Sequence, residues 1–459
     1  MDSLTNIKFE KKKMEKLKYQ KPVISKITAG VPNKFGLPTK QKIISAIDGI
    51  PVSKLMEEYG SPLFVLSEKT IRDTIAEAKR AFETRYPRVQ FAWSYKTNYL
   101  DAVCSIFHDE GSWAEVVSGF EFEKALSLGV NGSNILFNGP EKSAEDLTMA
   151  INHNACIHID HFDELYLLIE TTRKLNKKAR VAIRVNLDAG IYPIWDRFGF
   201  NYENGEAWNA INRIMLAENL EMVGLHTHIG TYIMSTPAYA IAASKLSNLY
   251  MAIHRKFDHW LKYIDLGGGF TSKNTLKGAY MPGAETCPSF DDYAEAISNA
   301  IISSEIPHEN LPVLFMETGR ALIDDSGYLL TTVLANKRSI HGRRTMVIDA
   351  GVNLLFTSFW YNLGVYPSKE VSSHVEESTI YGPLCMNIDV IRDAINFPPA
   401  KVGDQLVIER VGAYNMTQWM QFITFRPNVI LIDLDGKAHI IRKKENLDSL
   451  QSFELNPKR

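Results

Sequence analysis

The stretch that decides the fold of this chain is Val89-Gln90-Phe91-Ala92-Trp93-Ser94-Tyr95-Lys96-Thr97-Asn98. Its apolar and aromatic part is typical of a short buried β-strand. A lysine follows at the point where the strand should end, and a helix could start at Thr97-Asn98. We therefore expect the strand to direct the Lys96 amine into a pocket.

Around this stretch, short apolar runs alternate with longer amphipathic segments, a pattern typical of repeated βα units. The sequence predicts eight strands, at residues 89–94, 113–117, 135–137, 156–159, 180–185, 221–227, 263–266 and 313–316. Eight βα units over about 250 residues match the size of a closed (β/α)8 barrel, whose active site forms at the C-terminal ends of the strands. We therefore predict an α/β fold built on such a barrel.

The segments on either side of the predicted barrel have a different character. Before it, residues 52–59 predict a helix, 62–66 a strand and 68–85 a second helix. Beyond Ala321 come β-rich runs separated by Gly, Pro and Asp, at residues 328–335, 344–349, 405–409 and 428–433. These runs predict a second, all-β domain.

Composition excludes several classes of protein. The chain has 459 residues and a net charge of −2, and this charge gives no reason to expect nucleic-acid binding. A content of 45% apolar and 23% charged residues is typical of a soluble globular enzyme. No apolar run reaches the roughly 18 residues of a membrane span. The lysine-rich residues 1–26 lack the apolar segment of a secretory signal, which predicts a cytoplasmic protein with a solvated, partly disordered arm. The four cysteines have neither disulfide-framework nor metal-ligand spacing.

Three further motifs stand at the ends of apolar runs. They are Gly224-Leu225-His226-Thr227-His228-Ile229-Gly230-Thr231, Asp265-Leu266-Gly267-Gly268-Gly269-Phe270 and Glu317-Thr318-Gly319-Arg320. The glycine triplet lacks side chains, so its backbone amides can approach a phosphate closely. Together with Lys96, these motifs supply the amine, aromatic base, phosphate cradle and carboxylate that a pyridoxal phosphate site requires.

A metal site is the alternative for the two histidines. His226 and His228 are two residues apart, so on a strand both rings would point to the same face. Zinc sites usually have three or four protein ligands, and no third ligand stands near this pair in the sequence. We therefore predict no metal.

The order of these motifs resembles the fold-type III pyridoxal phosphate decarboxylases, the diaminopimelate, ornithine and arginine decarboxylase family, from about Ile47 to Asp433. The diaminopimelate decarboxylase-like branch is the most similar in style. The resemblance implies an alanine racemase-like fold and a homodimer with shared active sites. It implies four regions: a basic arm at 1–40, a segment at 41–66 that joins the C-terminal β domain, a cofactor-binding barrel at 67–325, and the β domain at 326–459.

The resemblance also assigns roles. The implied cofactor-binding residues are Lys96, His228, Thr231, Gly267, Gly268, Gly269, Glu317, Arg320 and Tyr414. Lys96 would form a Schiff base with the cofactor aldehyde, and Cys385 of the neighbouring subunit would return a proton after carbon dioxide leaves. Glu317 would face the pyridine nitrogen and keep it protonated, where alanine racemase has an arginine. A carboxylate makes the ring a strong electron sink, which favours decarboxylation.

The implied substrate-binding residues are Met386, Asp389, Thr357 and Tyr361. Met386 stands where the relatives have a glutamate or aspartate that holds the distal amine. Thr357 stands where diaminopimelate decarboxylases have an arginine for the distal carboxylate. Both changes predict poor activity on meso-diaminopimelate, lysine and ornithine, because a charged distal group would lose its partner.

The predicted function is thus a decarboxylase of an amino acid or amino-acid conjugate with a non-standard distal group, such as a carrier-protein-bound aminoacyl group or an intermediate of siderophore or antibiotic assembly. One alternative is a diaminopimelate or basic amino acid decarboxylase. Another, of a different class, is a non-catalytic relative that binds partners, as the antizyme inhibitors do. The presence of Lys96, Glu317 and Cys385 argues against that class.

Overall fold

The computed structural model describes residues 42–191, 193–371 and 374–457. Residues 42–459 form one unit. The predicted basic arm at 1–40 lies outside the described residues. None of the described helices is long and apolar enough to cross a membrane.

A short segment precedes the barrel. Strands β1 (Ala46–Ile47) and β2 (Ile50–Pro51) pair in antiparallel fashion, and helix α1 (Val52–Tyr59) follows them. Strand β3 (Leu63–Ser67) is buried along its whole length, because it becomes a central strand of the second sheet described below. The predicted helix at 52–59 is confirmed, and the predicted strand at 62–66 is shifted by one residue.

The predicted barrel is present. Its elements are β4 (Val89–Ser94), β5 (Trp113–Val116), β6 (Ile135–Phe137), β7 (Cys156–Ile159), β8 (Ala179–Asn186), the short extension β9 (Phe200–Asn201), β10 (Leu220–His226), β11 (Tyr263–Asp265) and β12 (Val313–Met316). The strands pair in parallel in the order in which they follow one another, except that β9 pairs with β8 alone and β10 also pairs with β8. Because β12 pairs with β4, the sheet closes. All eight predicted strands are confirmed to within one residue at each end.

Helices cover the outside of the barrel. They are α2 (Glu68–Glu83), α3 (Asp101–Asp109), α4 (Gly119–Ser127), α5 (Ala144–Asn152), α6 (Phe162–Leu175), α7 (Glu206–Leu216), α8 (Thr236–Phe257), α9 (Gly283–Thr286), α10 (Phe290–Ile302) and α11 (Arg320–Ile323). Local sequence sets several starts: Ser143 and Asp146 form a capping box at α5, for example. The helix of the last βα unit, α11, is short. Helix α2, which precedes the first barrel strand, packs against α10 and α11 and so completes the outer layer.

The barrel interior has an apolar layer and a polar layer. The apolar layer consists of Ala92, Leu136, Cys156, Ala182, Val223, Tyr263 and Phe315. Side chains two apart on a strand share a face. Ser94, His158 and Asp265 each follow a residue of the apolar layer by two positions, so they also point inward, nearer the C-terminal ends of the strands. All three are buried. The active-site floor is therefore polar, although it lies inside the barrel.

The second sheet is mixed. Its remaining strands are β13 (Gly327–Arg338), β14 (Arg344–Ile348), β15 (Val365–Pro367), β16 (Glu376–Tyr381), β17 (Val390–Phe397), β18 (Gln405–Glu409), β19 (Val429–Ile432) and β20 (Ala438–Arg442), followed by helix α12 (Leu447–Gln451). Strand β3 lies between β13, to which it is antiparallel, and β19, to which it is parallel. The chain segment before the barrel thus pairs with strands that follow it.

Four strands of the second sheet were not predicted: β15, β16, β17 and β20. Strand β17 carries exposed charged and polar positions in its middle, and β15 is only three residues long and ends in Pro367. Such short or polar strands have weak periodicity. The four predicted strands of this sheet are present.

Candidate active site

A cavity of about 340 Å³ opens at the C-terminal ends of the barrel strands. Seven of the predicted site residues line it: Lys96, His228, Thr231, Gly269, Glu317, Arg320 and Tyr414. These residues come from four strand ends and from the β domain. The structure therefore brings together most of the residues that the motifs predict for the cofactor.

Lys96 lies in a 3₁₀ turn, Tyr95–Thr97, at the end of β4. The β domain holds this turn, because Tyr414 donates its backbone N–H to the carbonyl of Thr97 at 2.8 Å. The Thr417 hydroxyl likewise donates to the carbonyl of Lys96 at 3.0 Å. Two segments far apart in sequence thus fix the position of the lysine.

The Lys96 ammonium pairs with Glu115, the buried carboxylate at the inner face of β5. Its Nζ atom donates to both carboxylate oxygens, at 2.8 and 2.6 Å. Burial lowers the pKa of the Lys96 ammonium, but the charges of Glu115 and Glu317 raise it further, so the pKa lies above its ordinary value. Lys96 is therefore a cation paired with Glu115.

Glu317 is buried at the end of β12 and is surrounded by hydrogen-bond donors. Asn138 donates from Nδ2 to its Oε1 at 2.7 Å, and the same Nδ2 donates to Glu115 at 2.9 Å. The Nε2 atom of His226 lies 3.1 Å from Glu317 Oε2. Burial lowers the pKa of His226 well below its ordinary value, so the ring is neutral and donates through Nε2–H.

The structure corrects one argument about a metal. His226 does have neighbours with metal-binding side chains: one ligand atom from each of His158, His226, Asp265 and Glu317 lies within 4.8 Å of the others. The sequence could not show this group, because its members come from four different strands. His228 is not part of it. Glu317 and His226 already hydrogen-bond to each other, and the prediction of no metal stays a prediction.

The glycine triplet packs against the neighbouring strand ends. A Cβ atom at Gly268 would lie 2.4 Å from the Glu317 carbonyl oxygen, and one at Gly269 would lie 2.3 Å from the Gly230 oxygen. Gly269 also has a φ of +88°, which favours glycine. Only Gly269 of the triplet lines the cavity, while Gly267 and Gly268 hold the loop against its neighbours.

Arg320, which also lines the cavity, carries an unpaired positive charge. It is 7% exposed, and its Nη1 atom is buried without a hydrogen-bond partner. It forms no ion pair with any described residue, and its guanidinium lies 4.6 Å from the centre of the Tyr414 ring. An anionic phosphate group would pair with this buried guanidinium, which has no carboxylate partner.

His228 lies between the glycine loop and an aromatic side chain. Its Nδ1 accepts a hydrogen bond from the Gly268 N–H at 3.1 Å, and its ring meets the edge of Trp195 at 5.6 Å between centroids. Burial lowers the pKa of His228 well below its ordinary value. The ring is therefore neutral, and it lines the cavity.

The predicted distal residues do not line the cavity of their own chain. Cys385 is exposed in the loop between β16 and β17, and Met386 is half-buried beside it. Asp389 is buried and accepts from the backbone N–H groups of Val352 and Leu384, both at 2.7 Å. Asp389 thus holds the loop that carries Cys385, and its role toward substrate stays a proposal.

Thr357 and Tyr361 are also buried. The Thr357 hydroxyl and backbone N–H both donate to Asn415 Oδ1, at 2.9 and 3.1 Å. Tyr361 packs 5.4 Å from the Tyr232 ring and 5.3 Å from the Arg320 guanidinium. The two hydrogen-bond donors of Thr357, its hydroxyl and its backbone N–H, are therefore both used within its own chain.

Several residues of the cavity were missed by the sequence analysis. They are Glu115, Asn138, Arg184, Trp195 and Phe198. Asn138 stands just after a predicted strand end, as Lys96 does, and this position was its available signal. Glu115 is the middle residue of the strand predicted at 113–117, and its only signal was a charged residue within an apolar run. Trp195 and Phe198 belong to the long connection after β8, which carries no motif.

The residues present fit pyridoxal phosphate. The glycine loop leaves no room for Cβ atoms, the Arg320 guanidinium lacks an anion, and Lys96 and Glu317 face the same cavity. The glycine loop and Arg320 suit the phosphate, Lys96 suits the aldehyde, and Glu317 suits the ring nitrogen.

Comparison with known proteins agrees with the geometry. Residues 72–324 match the family described as pyridoxal-dependent decarboxylase, pyridoxal binding domain. The chain is 30% identical to diaminopimelate decarboxylase from Methanocaldococcus jannaschii, over 90% of this chain and 95% of that protein. It is 28% identical to the Bacillus subtilis enzyme, over 89% and 94%. The crystal structure of the M. jannaschii enzyme matches with a TM-score of 0.83 and 28% identity, covering 91% of this chain and 98% of that one. The chain belongs to the fold-type III pyridoxal phosphate-dependent decarboxylases, which are carboxy-lyases.

Proposed function

We propose that the chain decarboxylates meso-diaminopimelate or a basic amino acid with pyridoxal phosphate. The observation that carries the decarboxylation is the placement of Glu317 at the end of β12, in the cavity that also contains Lys96, whereas the substrate class rests on the relatives. The relatives named above are diaminopimelate decarboxylases. Crystal structures of two such enzymes, from M. jannaschii and Helicobacter pylori, contain L-lysine, which supports a product of this type.

When bound, pyridoxal phosphate supplies an electron sink for the bond that breaks at the substrate α-carbon. Lys96 would bind the cofactor aldehyde. Glu317 would hold a proton on the ring nitrogen through a charge-assisted hydrogen bond. Arg320, Thr231 and the glycine loop would hold the phosphate. The carboxyl group leaves as carbon dioxide, and the α-carbon then takes a proton.

Cys385 is the proposed proton donor, and a second copy of the chain would bring it to the site. Its thiol is exposed and lies in a loop that does not line the cavity of its own chain. A closed two-fold dimer would give both sites the same composition, with Lys96 from one chain and Cys385 from the other. The homodimer and the cytoplasmic location belong to this proposal.

A second candidate substrate is an amino acid or conjugate with a less polar distal group, including a carrier-protein-bound aminoacyl group. Met386 favours it, because a thioether cannot pair with a distal ammonium. Thr357 favours it as well, because its hydroxyl is already bonded to Asn415. The two candidates share all the cofactor chemistry and differ only at the distal end of the pocket.

A substrate panel separates the candidates. Carbon dioxide release is measured with meso-diaminopimelate, lysine, ornithine and arginine, and with side-chain-acylated forms of the same amino acids. Turnover of a free basic substrate, with none of the acylated form, supports the first candidate. Turnover of an acylated substrate, with none of the free basic form, supports the second candidate. Release from no substrate of either group, by protein that has bound the cofactor, would contradict the proposed function.

A further inference from the structure

Asp265 is a second buried carboxyl group, with an oxygen within 4.8 Å of a Glu317 oxygen. It is the last residue of β11 and is 0% exposed. Its Oδ1 accepts a hydrogen bond from the Gly267 N–H at 2.8 Å. Its Oδ2 is buried and has no hydrogen-bond partner, although an ionised carboxylate oxygen in such a place should accept one.

Among the residues that the structure describes, neither a lysine nor an arginine forms an ion pair with Asp265. The nearby rings of His158 and His226 are neutral, because burial lowers the pKa of both well below the ordinary value. Lys96 is already paired with Glu115. Arg184, a half-buried cation of the cavity wall, lies 3.8 Å from Asp160. The buried Arg320 guanidinium lies over the Tyr414 ring. Of the three carboxyl groups Asp265, Glu317 and Glu115, the one that Lys96 pairs with is Glu115.

We propose that Asp265 is a neutral carboxylic acid that donates a hydrogen bond from Oδ2 to Glu317. The two carboxyl groups then carry one negative charge, located on Glu317. Burial, followed by the charge of Glu317, raises the pKa of Asp265 well above its ordinary value, in keeping with this assignment. Two like charges in one buried site cannot both form without a large cost.

In this arrangement Asp265 is a positioning residue that connects the two ends of the cofactor site. Through Oδ1 it holds the glycine loop at Gly267, and through Oδ2 it orients Glu317. Asn138 and His226 donate to the same carboxylate from other directions. Glu317 is thereby fixed with a free lone pair for the ring nitrogen. The effect on the ring rests on the proposed function, whereas the protonation of Asp265 does not.

The protonation state has a direct test in the protein without cofactor. An infrared difference spectrum between wild type and Asp265→Asn, recorded at pH about 9, isolates any protonated carboxyl group at this position. At that pH two other buried carboxyls, Glu121 with a pKa raised to about 7 and Asp324 with a pKa raised to about 6, are ionised. The expected result is a carboxylic acid band present in wild type and absent from Asp265→Asn. A difference spectrum with only carboxylate bands would overturn the proposal.

Activity with two variants then tests the positioning role. Asparagine can accept from Gly267 and donate to Glu317, as the neutral acid does, so Asp265→Asn should stay within a few-fold of wild-type turnover. Asp265→Leu has a similar volume but no donor, and it should lose roughly 10- to 100-fold in kcat. A loss in Asp265→Asn as large as that in Asp265→Leu would overturn the role. Should Asp265→Leu not fold, the infrared result and Asp265→Asn still decide. Failure of the proposed substrates would leave the infrared band unchanged.

Discussion

Lys96 and Glu115 form a two-pronged ion pair on the cavity floor, with Nζ–O distances of 2.8 and 2.6 Å. The carboxylate is fully buried, whereas the lysine side chain is 39% exposed to the cavity. The lysine must lose its proton to react with an aldehyde. Glu115 therefore stabilises the form of Lys96 that cannot react, and this relationship has a measurable consequence.

We predict that Glu115→Gln moves cofactor capture to lower pH. The charge of Glu115 raises the pKa of the Lys96 ammonium, so its removal lowers that pKa and yields free amine at a lower pH. The rate at which protein without cofactor captures pyridoxal phosphate, followed by absorbance across a pH series, should reach half its maximum at a lower pH than in wild type.

Glu221→Gln is the matched control for this experiment. Glu221 lies near the start of β10, at the opposite end of the barrel, and pairs with Lys262. Its replacement should leave the pH profile unchanged. An unchanged or upward-shifted profile in Glu115→Gln would show that Glu115 does not set the charge state of Lys96.

Glu317→Gln should retain the cofactor but slow the chemical step. An amide cannot hold a proton on the ring nitrogen as a carboxylate does. We expect the loss in kcat, with little change in cofactor affinity measured by absorbance titration. Wild-type turnover at saturating substrate would exclude the role of Glu317 as the partner of the ring nitrogen.

Gly268→Ala should destabilise the protein even without cofactor. The new Cβ would lie 2.4 Å from the carbonyl oxygen of Glu317, and a backbone shift of this kind costs about 1–3 kcal/mol. Urea unfolding measures the change. Gly49→Ala is the control, since its Cβ would meet nothing within 4 Å at a φ of +83°, so that its cost is limited to about 1–2 kcal/mol of backbone strain. A Gly268→Ala protein as stable as wild type would contradict the packing argument.

The sequence predicted the parts of the site that depend on strand ends. Lys96 and Glu317 were found because each follows an apolar run, and the ends of parallel barrel strands meet at one face. The contacts between Asn138, Glu115 and Glu317 were not predictable, because they join side chains from three strands whose relative heights depend on the register. The resemblance alone implied that the segment containing β3 joins the β domain, and its position between β13 and β19 was not predicted.

The shared site across a two-fold axis is tested by subunit mixing. Lys96→Ala and Cys385→Ala proteins should each be inactive alone. In mixed dimers one site carries both lesions and the other carries neither. Random exchange makes about half of the dimers mixed, so activity should recover to about one quarter of wild type. No recovery, with exchange shown by a mass label, would place each site within a single chain.

The role of Lys96 is tested most directly by reducing the cofactor-loaded protein with borohydride and mapping the modified peptide by mass spectrometry. Visible absorbance should disappear and one pyridoxyl phosphate group should be fixed on Lys96, with no modification in Lys96→Ala. Modification of a different lysine, or full retention of cofactor absorbance and carbon dioxide release by Lys96→Ala, would contradict that role.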